Sequence, residues 1–128
     1  MNILWICTEQ QRFDTLGCTG NEWVHTPNLD RLASEGVLFE NAYAQSPVCA
    51  PSRGSFLTGR YPRTCGPRQN GQDIDAKERL LPRILADNGY YCGLAGKLHL
   101  SACHDNTGRL MEPRIDDGYH FFQWSHHP

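Results

Sequence analysis

The hydrophobic pattern of the chain alternates between continuous apolar runs and segments with helical spacing. A continuous apolar run is typical of a strand that is buried on both faces of its sheet. Runs of this kind predict strands at Asn2–Thr8 (apolar from Ile3 to Cys7), at Val37–Tyr43 as a strand or extended segment, and at Tyr90–Ala95. Each predicted strand needs packing partners on both sides of the sheet.

Two segments between these runs have the spacing and the end signals of helices. Thr26–Gly36 has a threonine that can cap its start, a proline at its first position and a glycine at its exit. Leu80–Gly89 also ends in glycine. The expected buried faces are Leu29, Leu32 and Ala33 in the first helix and Leu81, Ile84 and Leu85 in the second. This alternation predicts an α/β fold with a mostly parallel sheet flanked by helices.

Length and charge exclude several classes of function. The chain has 128 residues and a formal net charge of -2, which fits one small domain. It has no basic patch, so we expect no nucleic-acid partner. No apolar run approaches the roughly 20 residues of a membrane-spanning helix, so we expect no membrane partner.

The cysteines and the first residues predict a compartment. Met1–Ile6 has no charged leader and no small-residue cleavage site, so we expect no secretory signal. In its absence the six cysteines are predicted to be free thiols in a reducing compartment, which indicates the cytoplasm. A zinc site could be assembled late in the chain, but its spacing matches no common structural-zinc pattern. Its candidate ligands are Cys92, His99, Cys103 and His104.

The densest set of chemical signals lies in Ser46–Arg60. Pro51 suits the first turn of a helix and Gly59 suits its exit, so Cys49 is predicted just before a helix N-terminus. Free N–H groups and the helix dipole favour negative charge there. Arg53 lies one helical turn further on and can point back to the same place. These residues indicate a site for an oxyanion ester, although a cysteine at a helix start is often only a buried structural residue.

Two further pairs of polar residues follow predicted strands, where ligands gather in open α/β sheets. Glu9 and Gln10 follow the first strand, and their side-chain oxygens suit a hard cation such as calcium or magnesium. Lys97 and His99 follow the strand Tyr90–Ala95 and would project to one side if the extended backbone continued. Lysine offers positive charge and histidine can transfer protons. A solvated surface loop would also account for either pair taken alone.

The residues from Cys49 to Arg60 form a long motif, Cys-x-Pro-Ser-Arg followed by Thr-Gly-Arg. It resembles the signature of the type I sulfatases, a family with an alkaline-phosphatase-like fold. The family also carries Gly-Lys-x-His after a strand, matched by Gly96–His99, and a Leu-Gly-Cys segment near its start, matched by Leu16–Cys18. Arg114–Phe122 resembles a family segment in which a glycine–aromatic turn precedes the next core strand.

The resemblance implies a catalytic chemistry for Cys49. In this family the cysteine is oxidised to formylglycine, and the hydrated aldehyde attacks the sulfur of a sulfate ester. The expected partners are therefore a small-molecule sulfate ester and a formylglycine-generating or anaerobic sulfatase-maturing enzyme. Arg53, Lys97 and His99 are the other catalytic residues that the resemblance implies.

The resemblance also implies a divalent metal, with Ca²⁺ the expected ion and Mg²⁺ or Mn²⁺ as alternatives. Its implied ligands in this chain are Glu9, Gln10 and the modified Cys49. The family commonly has Asp-Asp or Asp-Gln at the paired positions. Glu9 departs from that pattern by one extra methylene, which shifts its carboxylate relative to the metal.

Two alternatives to a sulfatase remain at this point. The segment Gln10–Asp14 looks most like the family branch that contains phosphonate monoester hydrolases and their bacterial sulfatase relatives. A phosphonate or phosphate ester hydrolase with the same machinery is the first alternative. The second is a truncated, catalytically inert domain, because the metal ligands that the family takes from later strands cannot be mapped here. We predict that residues 1–128 form the N-terminal part of a sulfatase catalytic domain, with an incomplete sheet.

Overall fold

The computed structural model describes residues 1–102 and 112–124 and divides the chain into two compact units, Met1–Tyr43 and Ala44–Pro128. The zinc candidates Cys103 and His104 lie outside the described residues. The first unit contains a 3-10 turn at Gly17–Thr19 and helix α1. The second contains the remaining helices and both strands. The elements are α1 (Pro27–Glu35), α2 (Cys49–Thr58), α3 (Pro62–Cys65), α4 (Leu81–Asp87), β1 (Gly93–Gly96) and β2 (Phe121–Trp124).

Helix α1 confirms the helix predicted between Thr26 and Gly36, which occupy its N-cap and C-cap. The Thr26 hydroxyl makes no capping bond and instead donates to Oδ1 of Asp30 at 3.0 Å. It also accepts the Gly17 amide at 2.8 Å, while Asp30 Oδ1 accepts the Cys18 amide at 2.7 Å. These bonds fasten the Leu-Gly-Cys turn to the start of α1.

The strand predicted at Asn2–Thr8 is wrong, and Val37–Tyr43, predicted as a strand or an extended segment, is not a strand. Asn2–Thr8 and Val37–Tyr43 form no strand, and their apolar side chains are exposed, with Leu4 at 85% and Val37 at 77%. A strand is stable only when a neighbour satisfies its backbone hydrogen bonds. Within the described residues, β1 and β2 pair only with each other, so neither apolar run has a neighbouring strand.

The buried faces predicted for the two helices are also wrong. Leu29 and Leu32 of α1 are exposed, and so are Leu81 and Ile84 of α4. A helix buries an apolar stripe only against another layer of structure. The buried residues at the N-terminal end of α4 are instead its N-cap, Leu80, and Pro82.

The second unit confirms an α/β arrangement with parallel strands. β1 pairs with β2 in parallel, with Gly93 opposite Phe121 and Gly96 opposite Trp124. The predicted strand Tyr90–Ala95 is shorter and shifted in the structure, and its residues are half-buried or exposed, so its predicted full burial is wrong. The core of this unit consists of Leu57, Ile74, Leu80, Leu98 and Leu100. This core joins α2 to the segment that follows β1.

Asp87, the last residue of α4, forms two ion pairs. Its carboxylate contacts the guanidinium of Arg79 and lies 2.9 Å from Nη2 of Arg83. Hydrogen bonds from Arg79 and then Arg83 hold the pKa of Asp87 below its ordinary value of 3.8. A carboxyl with a lowered pKa stabilises the folded state above its unfolded pKa, and this contribution is lost as the pH falls through the folded value.

We therefore expect Asp87→Asn to lower the urea midpoint at neutral pH by a small amount, because exposed ion pairs contribute little. The difference from the parent protein should shrink steadily below about pH 4. Urea unfolding across this pH range measures this difference. The difference in urea midpoint between Arg79→Gln and the parent protein should shrink at acid pH in the same way. A difference that keeps its size at acid pH would contradict the ion-pair assignment.

Candidate active site

Helix α2 begins at Cys49 itself. Val48 is the N-cap, with an extended backbone, and its carbonyl accepts the Ser52 amide at 3.1 Å. The prediction that Cys49 lies just before the helix is therefore wrong by one residue, since Cys49 is the first helical residue. The predicted exit at Gly59 is confirmed, with a left-handed φ of 68°. The half-buried Cys49 thus lies at the positive end of the helix dipole.

Asn70 supports the start of α2 from the loop after Arg60. Its Oδ1 accepts the Ala50 amide at 3.0 Å, which satisfies one of the N–H groups at the helix N-terminus. Asn70 was not among the candidates from the sequence, because nothing local to it indicates a partner 20 residues away. The composition of its loop, rich in Pro, Gly, Arg, Gln and Asn, was the available signal.

We expect Asn70→Ala to destabilise the protein by about 1 kcal/mol, because the Ala50 amide loses its acceptor. Asn70→Asp is the matched control, since it keeps the oxygen and adds a negative charge that the helix N-terminus favours. Thermal unfolding of both variants measures the effect. Equal losses in the two variants would show that the acceptor oxygen is not what matters.

Arg53 connects α2 to the segment after β1. The residue is buried, with 9% of its surface exposed, and its Nη1 donates to the Lys97 carbonyl at 2.7 Å. Arg53 and Lys97 come from the two separate motifs found in the sequence. The hydrogen bond brings the two motifs together within the second unit.

Lys97 and His99 are half-buried and alternate along the chain with the core residues Leu98 and Leu100. The extended backbone that would place both on one side does not continue, because His99 has a left-handed φ of 56°. Left-handed backbone is strained in a residue other than glycine, and such strain is concentrated at functional sites. Among the described residues only Gln10 and His99 share this property outside glycine, and both were candidates from the sequence.

The Glu112 carboxylate binds the backbone after Lys97. The residue is 7% exposed and accepts the amides of His99 at 2.9 Å, Leu100, and Ser101 at 2.8 Å. Glu112 was not among the candidates from the sequence, since no motif includes it and its partners lie more than ten residues earlier. The buried carboxylate fixes the conformation of the segment that carries His99.

Glu9 and Gln10 are exposed and belong to the first unit. Their carboxylate and amide oxygens are of the type that hard divalent cations prefer, so their chemistry fits the implied metal. Calcium takes 6–8 oxygen ligands in all. No cluster of three or more His, Cys, Asp or Glu side chains occurs in residues 1–102 and 112–124.

A family model described as Sulfatase matches residues 1–127. The chain belongs to the sulfatase family. It is 35% identical to human steryl-sulfatase over 133 residues, which cover 94% of this chain and 23% of that protein. None of the helices in the described parts of the chain is long and apolar enough to span a membrane.

Solved structures support the predicted fold. The phosphonate monoester hydrolase of Agrobacterium radiobacter matches with a TM-score of 0.72 and 30% identity, over 91% of this chain and 24% of that one. A protein solved with its substrate D-glucosamine-2-N,6-O-disulfate matches with a TM-score of 0.70 and 30% identity, over 85% of this chain and 20% of that one. The alkaline-phosphatase-like α/β fold is thus confirmed. The chain spans about a quarter or less of the length of these proteins.

Proposed function

We propose that this sulfatase-family chain provides the nucleophile and part of the anion-binding site of a sulfate-ester hydrolase. The supporting observation is the hydrogen bond from Arg53 to the Lys97 carbonyl, which joins the motif that contains Cys49 to the motif that contains His99. We further propose that residues 1–128 are the N-terminal part of the catalytic domain, acting in the cytoplasm. The small share of each relative that the chain covers supports the proposal that residues 1–128 are one part of a longer catalytic domain.

The proposed reaction begins at residue 49. A formylglycine-generating or anaerobic sulfatase-maturing enzyme converts Cys49 to formylglycine. The formylglycine supplies an oxygen nucleophile, so the reaction proceeds through a covalent intermediate. The charges of Arg53 and Lys97 and the N-terminus of α2 stabilise the negative charge that develops on the sulfate oxygens. His99 holds or transfers a proton near the nucleophile.

The proposed metal is Ca²⁺, with Mg²⁺ or Mn²⁺ as alternatives. When bound, a divalent cation polarises ester oxygens and favours an ionised nucleophile. Glu9 and Gln10 would hold it through their side-chain oxygens, together with the modified residue 49. The extra methylene of Glu9 relative to aspartate moves its carboxylate outward, so Glu9→Asp tests whether metal affinity depends on that reach.

The structural match to a phosphonate monoester hydrolase favours a second candidate function, hydrolysis of phosphonate or phosphate esters. Sulfate and phosphonate monoesters are both tetrahedral and differ in the central atom and its substituents. Rates on an aryl sulfate and on an aryl phosphonate monoester with the same leaving group separate the two functions. We expect the larger kcat/KM on the sulfate, and cleavage of the phosphorus ester alone would exclude a sulfatase.

An inert domain is the third candidate, and assays of the 128-residue chain by itself test it. We expect no hydrolysis from residues 1–128 alone, because the described residues supply only part of a metal-ligand shell. The longer protein that we propose should hydrolyse the aryl sulfate. Absence of activity in both, with Cys49 in its modified form, would favour an inert domain.

A further inference from the structure

The Lys97–Ala102 segment is held by hydrogen bonds on several sides. Arg53 donates to the Lys97 carbonyl at 2.7 Å, and the Ile74 amide donates to the Leu100 carbonyl at 2.8 Å. The Ala102 amide donates to Oδ1 of Asp73 at 2.8 Å. The amides of three consecutive residues, His99, Leu100 and Ser101, donate to one carboxylate, that of Glu112.

We infer that Glu112 is a positioning residue that holds His99 in its left-handed conformation and thereby orients the imidazole for the reaction. This inference rests on the proposed function. Glu112 touches neither the nucleophile nor the ester in this account and acts only through His99.

The geometry of the Glu112 carboxylate explains how a single side chain holds the turn at His99. Oε2 accepts the His99 amide at 2.9 Å, while Oε1 accepts those of Leu100 and Ser101. A φ of 56° costs free energy in histidine, and it persists only when surrounding interactions determine it. Three hydrogen bonds to an ionised acceptor are stronger than three to a neutral one. Leu98 and Leu100 flank His99 and are both buried in the core. Their packing prevents the turn from moving to relieve the backbone strain at His99.

Amide hydrogen exchange measured by NMR in the natively expressed protein tests the inference. In the parent protein the amides of residues 99–101 should exchange slowly. Glu112→Gln replaces one acceptor oxygen with an NH₂ group, so the three amides should exchange about tenfold to a hundredfold faster. The NMR signals and pH titration of the His99 imidazole should change with them.

Asp117→Asn is the matched control. Asp117 is also a buried carboxylate, 1% exposed, and it accepts a backbone amide, that of Tyr119 at 2.9 Å. Its loss should lower stability while leaving exchange at 99–101 and the His99 signals unchanged. If Glu112→Gln does not fold, Glu112→Asp keeps the charge, shortens the side chain and should also speed exchange of these amides.

An activity measurement separates positioning from stability. With an aryl sulfate, Glu112→Gln should lower kcat about tenfold or more, with KM within about threefold, because a misplaced catalytic group slows the chemical step. Rapid exchange at 99–101 in the parent protein would overturn the inference, and so would an unchanged His99 in a folded Glu112 variant. If the longer protein that we propose hydrolyses no ester, the proposed function fails, whereas the exchange experiment still decides whether Glu112 positions His99.

Discussion

In the longer protein that we propose, replacing Cys49 with alanine is expected to abolish ester hydrolysis. Without its sulfur, residue 49 cannot become formylglycine, so the nucleophile is lost. Removal of a covalent nucleophile reduces kcat on the order of 10⁴-fold or more in other hydrolases. The fold should remain, because alanine suits the first turn of α2 and Cys49 is only half-buried. Steady-state rates on an aryl sulfate, with thermal unfolding of the same samples, measure both quantities.

Cys18→Ala is the control for a general effect of cysteine loss. Cys18 is a free thiol with the same intermediate exposure as Cys49, but it lies outside the helix that begins the sulfatase motif. We expect the Cys18 variant to keep the parent kcat within about twofold, since no charge or nucleophile is removed from the site. Comparable activity in the Cys49 and Cys18 variants would contradict the assignment of the nucleophile.

Replacing Gly118 with alanine is expected to destabilise the second unit by about 2–5 kcal/mol. Gly118 has a φ of 84°, which costs free energy in any residue with a Cβ. A Cβ at this position would also lie 2.5 Å from the Arg83 nitrogen and 2.7 Å from the Pro82 carbonyl carbon. Both are backbone atoms at the start of α4, so no side-chain rotation relieves the clash. The loss is a large fraction of the stability of a small domain.

Gly89→Ala separates the two causes. Gly89 has the same φ of 84°, but a Cβ there would have no atom within 4 Å. It should therefore cost only the conformational part, about 1 kcal/mol. Urea unfolding measures the free energy of unfolding of each variant. The difference between the two losses is the cost of the steric clash at Gly118. Equal losses would show that the close approach of Gly118 to α4 does not constrain the fold.

Local signals in the sequence account for what could be predicted of the site. The start of α2 depends on a proline in its first turn and a glycine at its end, both within a few residues, and it was placed to within one residue. The pair Lys97 and His99 was found by a short motif after a strand. These features are determined by neighbouring residues, so the sequence alone carries them.

Features that depend on distant residues could not be predicted. The apolar run Asn2–Thr8 has the composition of a buried strand, but pairing depends on a neighbouring strand that composition does not reveal. Asn70 and Glu112 act across 20 residues and 11 to 13 residues respectively. The left-handed backbone of His99 results from hydrogen bonds to a distant residue. The local sequence does not reveal these bonds and predicts an extended backbone instead.

Mass spectrometry of the peptide that contains Cys49 is the sharpest test of whether this residue becomes the catalytic nucleophile. The peptide should be taken from the protein expressed in its native host, with the Cys18 peptide as an internal control. We expect an aldehyde oxygen in place of the Cys49 sulfur and an unmodified thiol at Cys18. An intact thiol at Cys49 in protein that is active on sulfate esters would show that formylglycine at this position is not the nucleophile.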